Sequence, residues 1–163
     1  MLSIRMIESV IVGGRVVSII NTVCTTTIMR TLNAITSSIG NLISNITTYE
    51  SSKINIRSVK ESIEYMDLDY KINVIKTVVK EIEARGNISD SVKLALMGIN
   101  EVLDRINDEL GTVQKAIEYH NSKYFCGYRS FNCSCNIEQI IKHNEILDSR
   151  YRILLDLIKL RMN

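Results

Sequence analysis

Between residues 90 and 122 the apolar side chains recur at alternating spacings of four and three: Val92, Leu96, Ile99, Leu103, Ile106, Leu110, Val113 and Ile117. This is the heptad spacing of a long helix that packs along one seam. Glu101, Asp104, Arg105, Asp108, Glu109 and Lys115 fill the positions between and suit a solvated flank. Ser89, just ahead of Asp90, predicts the N-cap, and Gly86 after Arg85 predicts the end of the preceding helix. Continuing the register places His120 and Tyr124 on the inward stripe.

Three further segments carry related patterns. Over 136–162 the stripe is Ile137, Ile140, Leu147, Tyr151, Leu154 and Ile158, with the polar Asn144 on the seam, and Asn136-Ile-Glu-Gln139 fits a capping box. Over 58–85, Ser58-Val-Lys-Glu61 fits another. There Val59, Ile63 and Met66 follow one register while Ile72, Ile75, Val79 and Ile82 follow a second, so a kink is expected near 67–69. Over 3–47, Ile28, Leu32, Ile35, Ile39, Leu42 and Ile46 form a seam, which an upstream stripe through Met6, Val10, Gly13, Val17, Ile20 and Cys24 continues after one slip. The predicted fold is all-α: a single domain over 1–163, an antiparallel (up-down) four-helix bundle of long helices with coiled-coil-like seams, and a cysteine-rich loop over 123–135.

The first segment differs from the others. Ile4, Ile7, Ile11, Val12, Val16 and Ile19 lie off its main seam, which makes the N-terminal part apolar nearly all round. An unbroken helix over 3–47 would run roughly 65 Å, against roughly 45–50 Å for the segment over 90–122. Either the chain turns at Gly13-Gly14, or the excess packs on something outside the chain. Leaving about ten aliphatic side chains in water would forgo roughly 15–25 kcal/mol. The six residues above are therefore the candidate interaction surface, with copies of the same chain or other protein subunits as partners.

Composition supports long helices. The chain contains no proline and no tryptophan, and isoleucine far outnumbers leucine, so the core is aliphatic. The isoleucine and asparagine content points to an AT-rich genome, such as that of a low-GC bacterium, a protist or a large DNA virus. A net charge of +2 gives no case for nucleic acid as a partner. Arg5, Glu8, Arg15 and Arg30 are the charged side chains before Glu50. Glu8 and Arg15 interrupt the apolar stretch, no small-residue cleavage site follows, and the best window, Val16 to Met29, is too short and polar to span a bilayer. The expected location is the cytoplasm or a large assembly such as a virion.

Candidate chemistry is confined to the loop. Cys126, Cys133 and Cys135 fall within ten residues, with His120 on the preceding helix end and His143 on the following helix. Three thiolates and an imidazole can hold zinc tetrahedrally, but zinc knuckles favour Cys-x2-4-Cys, and here six residues and then one separate the thiols. A disulfide within Cys126, Cys133 and Cys135 is the preferred reading, and a structural zinc on those residues and His120 the second. No catalytic motif and no other cofactor site is recognised. The sequence predicts a non-enzymatic structural or interaction protein: a bundle subunit of a homo-oligomer or larger assembly, with a minor virion component as one concrete version. The alternative is a membrane-associated protein acting through its apolar N-terminal helix.

Overall fold

The computed structural model describes residues 15–48, 54–86, 88–122 and 132–160, with side chains from residue 24 in the first stretch (to 46) and from residue 59 in the second. Within them the chain is all-helical: α1 (Arg15–Thr48), α2 (Ile54–Tyr65), α3 (Leu68–Ala84), α4 (Asp90–Asn121) and α5 (Ser134–Leu160). Among the described residues no helix is long and apolar enough to cross a membrane.

The heptad seams are where the sequence places them. Ile28, Leu32, Ile35, Ile39, Leu42 and Ile46 of α1 are buried, as are all eight aliphatic stripe residues of α4 together with His120. Val102 joins them, so at Val102-Leu103 α4 buries two consecutive residues. One seam cannot do that. The wider stripe reflects two neighbours, because α4 packs extensively on both α1 and α5, while α1 also carries α3 and the end of α2.

Polar pairs along the seam edges give the directions. Thr31, Ser38 and Asn45 of α1 bond Asp104, Asn107 and Glu118 of α4 at 3.1, 3.1 and 3.4 Å, so these two helices lie side by side and parallel. Thr25 donates to Glu83 at 3.1 Å and Lys76 to Thr36 at 2.8 Å, which sets α3 antiparallel to α1. Asn136 donates to Glu109 at 2.8 Å and Arg150 reaches Glu101 at 3.2 Å, which sets α5 antiparallel to α4.

The break between α2 and α3 occupies Met66-Asp67, at the leading edge of the expected kink. Had the helix continued, the register of Val59, Ile63 and Met66 would have brought Tyr70, Asn73, Thr77 and Lys80 inward. All four are exposed. The break rotates α3 so that Leu68, Ile72, Ile75, Val79 and Ile82 are buried instead. Asp67 makes the adjustment in a left-handed conformation (φ 49°, ψ 35°), its amide bonding the Glu64 carbonyl at 3.1 Å. Short polar residues such as aspartate tolerate this region better than most, though not as glycine does.

Helix ends are partly as expected. Ser89 caps α4 by accepting from the Val92 amide, and Gly86 adopts φ +71° after α3. Neither proposed capping box starts a helix. The chain is already helical from Ile54, which puts Ser58 one turn inside α2. α5 begins two residues before Asn136, where Asn132 Oδ1 accepts from the Ser134 amide at 3.0 Å and leaves Asn136 free to reach Glu109. Residues 1–14, the N-terminal part of the predicted first helix, lie outside the described residues.

Asp67→Gly relieves the left-handed penalty and is expected to raise the urea unfolding midpoint, while the β-branched Asp67→Val lowers stability by about 1–2 kcal/mol. Equilibrium denaturation followed by circular dichroism checks both signs.

Candidate functional site

Three places bear on function. The first is the N-terminal apolar set. Ile4, Ile7, Ile11 and Val12 lie outside the described residues, and Val16 and Ile19 belong to α1 through their backbone alone. The described part of α1 nevertheless fixes the phase of its buried face from Cys24 onward. Thr25 is fully buried and bonds Glu83, whereas Cys24 is half-buried at the core's edge. The seam position therefore belongs to Thr25 rather than to Cys24, where the upstream stripe placed it. Carried back at the same spacing, the register meets Asn21, Ser18 and Gly14. In the sequence that register is polar or glycine at these three positions and aliphatic again at Ile11, Ile7 and Ile4, while Val12, Val16 and Ile19 lie off it.

The second place is the cysteine region. Cys133 precedes the first turn of α5, its carbonyl accepting the first helical bond from the Ile137 amide, and its side chain belongs to the core. Cys135, two residues on, is exposed. Both are free thiols, as is Cys24. His120 is buried at the end of α4. His143 lies ten residues beyond Cys133, or about 15 Å along the helix, with its Nδ1 buried and without a hydrogen-bond partner. Among the described residues no group of three or more His, Cys, Asp or Glu side chains is placed to hold a metal ion. Cys126, which both the disulfide and the zinc reading need, lies outside the described residues.

Burial pushes the Cys133 thiol from its ordinary 9.0 up to about 11. A raised folded-state pKa leaves stability intact below pH 9 and removes it as the pH climbs towards 11, because the unfolded chain ionises first. Wild-type stability is expected to drop by roughly 2 kcal/mol more than that of Cys133→Ala across this window. Urea titrations at pH 8 and pH 11 measure the difference. The Cys24 thiol is also raised by burial, offset in part by Lys93.

The third place was only half visible in the sequence. Between α3 and α5, which approach less closely than α4 does to α1 or α5, a cleft of about 170 Å³ is lined by Tyr70, Lys71, Val74, Ile75, Leu147, Asp148 and Tyr151. Lys71 Nζ bonds Asp148 at 2.8 Å and the side-chain oxygen of Asn144 at 3.2 Å. Asn144, the polar residue on the seam, is thus buried with a partner from α3. Tyr151 borders the same cleft, its phenol pushed above the ordinary range by burial, then by the negative charge of Glu81 and by Tyr70. The Asn144 amide was legible as a polar seam residue. Its partner was not, because Lys71 lies in α3, on a helix whose phase depends on the break at Asp67. The chemistry of this cluster is alignment of two helices, since the amine is already shared between an amide and a carboxylate.

A buried polar residue at a seam costs stability while fixing alignment. Asn144→Leu is expected to raise the thermal midpoint, by an amount corresponding to about 1 kcal/mol, with Lys71 retaining Asp148. A lowered midpoint would show that the amide contributes net stability.

No known protein family matches the chain, and no solved structure matches it. Over 98 residues the chain is similar to an uncharacterized protein of Acanthamoeba polyphaga mimivirus, with 28% identity. The match covers 60% of this chain and 46% of the viral protein, so the chain corresponds to less than half the length of that relative.

Proposed function

We propose that the protein is a non-enzymatic structural or interaction subunit, an antiparallel, up-down four-helix bundle that assembles with copies of itself or with other subunits. The observation carrying this reading is the phase of α1. Its buried seam runs from Thr25 to Ile46. Carried back at the same spacing it meets Asn21, Ser18 and Gly14 and then Ile11, Ile7 and Ile4, whereas Val12, Val16 and Ile19 fall at other positions, so the sequence there is aliphatic on more than one face. Aliphatic side chains off the intramolecular seam gain most by burial against another surface. Ile4, Ile7, Ile11, Val12, Val16 and Ile19 are the residues proposed to make that contact.

The alternating directions of α1, α3, α4 and α5 support the bundle, with α2 and α3 serving together as its second rod. A minor component of a virus particle is the version that the mimivirus relative favours. A membrane-associated role gains no support from the described helices, none of which is long and apolar enough to cross a bilayer.

The test is absolute mass in solution, by light scattering after size-exclusion chromatography without detergent. The full chain is expected to form a defined oligomer that changes to a smaller species when residues 1–14 are removed. A monomer whose mass is indifferent to the truncation would overturn the reading. Aggregation of the full chain cured by lipid vesicles, and not by protein partners, would move the assignment to a membrane.

A further inference from the structure

The cleft between α3 and α5 is framed by two pairs of residues, each pair one helical turn apart. Tyr70 and Val74 share a face of α3, and Leu147 and Tyr151 share a face of α5. Ile75 and Leu147 belong to the buried core and form the floor. Val74 and Tyr151 are half-buried, and Tyr70, 64% exposed, stands at the mouth. The wall is almost entirely carbon. The amine that borders it is already engaged, since Lys71 Nζ is held by Asp148 and by the Asn144 side chain. An ordered water needs about two to four polar partners. This wall supplies few of them, so water in the cleft is readily displaced by an apolar group.

We propose that this cleft is a binding site for a small, uncharged, single-ring aromatic molecule of the size of benzene or phenol. Volume sets the first limit. A cavity of about 150 Å³ with apolar walls holds one benzene ring, and this cleft encloses about 170 Å³. Drug-sized ligands need roughly 300 Å³ or more. Charge sets the second limit. The Lys71 amine opposes a cation, while the carboxylates of Asp148 and of Glu81, whose charge is felt at Tyr151, oppose an anion. The third is the kind of wall. The rings of Tyr70 and Tyr151 favour edge or face contact with another aromatic ring over contact with an aliphatic one. The cleft is open on one side, and α3 and α5 pack less closely than α4 does on α1 or α5, so a ring enters without parting the main contacts of the bundle. The site uses none of the N-terminal residues of the preceding proposal, so each can fail without the other.

Fluorine NMR of fluorobenzene in the presence of the full chain tests the proposal. The expected result is a saturable shift with a dissociation constant of about 1 mM or tighter. Val74→Phe places a ring of its own in the cleft and should weaken binding at least about tenfold, with an unchanged helical circular dichroism signal because Val74 is only half-buried. Tyr70→Ala, at the exposed mouth, is the second variant and should weaken binding about threefold or more. Tyr65→Ala, at an exposed site elsewhere, should leave it unchanged. Phenol should displace the probe, whereas benzoate and benzylammonium should do so at least about tenfold less well, and cyclohexanol about threefold less well. No saturable response up to about 10 mM fluorobenzene overturns the proposal. So does binding that ignores both Val74→Phe and Tyr70→Ala, which would place the probe elsewhere on the bundle, and so does displacement by cyclohexanol equal to that by phenol.

Discussion

The parallel contact between α1 and α4 is the constraint on which the rest of the packing depends. α4 buries both Val102 and Leu103 because it has a neighbour on either side of its stripe, α1 on one and α5 on the other. α3 reaches the core through α1, and α5 reaches it through α4. The approach between α3 and α5 is looser than these and holds the cleft beside Lys71 and Asn144. A substitution that separates α1 from α4 therefore acts on every other helix, while one between α3 and α5 acts locally.

Aliphatic heptads are periodic, and a seam of isoleucines and leucines would accept a slip of seven residues at modest cost. The polar pairs on its edges remove that freedom. Thr31 with Asp104 and Lys76 with Thr36 match particular partners, and a slip of seven residues would set Thr31 opposite Met97 or Gly111 and Lys76 opposite Met29 or Ile43. Individually such exposed or half-exposed bonds contribute little stability. Their role is to distinguish one alignment from its near-equals, as a lone polar residue does in a coiled coil.

The seams themselves were legible because a stripe at four-three spacing can be satisfied in only one way by a helix with one buried face. That held for α1 from Ile28 onward, for α4 throughout and for the two registers of α2 and α3. What escaped the reading depended on neighbours. Val102 is buried because a second helix covers it, which periodicity along one chain does not encode. Thr25 occupies a seam position because Glu83 supplies a partner for its hydroxyl, so a rule that counts only apolar residues passes to Cys24. The capping boxes at Ser58 and Asn136 had the right letters, but Asn132 offered an earlier start to α5, and Asn136 had a better use against Glu109. Of the candidate sites, His120 could be placed in the core from its register, whereas Cys133, read as part of the loop, belongs to the core because α5 starts ahead of Asn136.

The junction at Met66-Asp67 also bears on how this chain can change length. A long helix packed by heptads tolerates insertions or deletions only in near-multiples of its repeat, since any other number swings everything downstream to a new side. Here one residue outside the right-handed well has already absorbed such a mismatch, and the two halves of the rod keep independent phases. Small changes in residue number can be accommodated at this point by adjusting the turn, whereas the same change within α4 would expose its seam from that point onward. The junction is thus the place along the α2–α3 rod where sequence drift in length is compatible with an intact core.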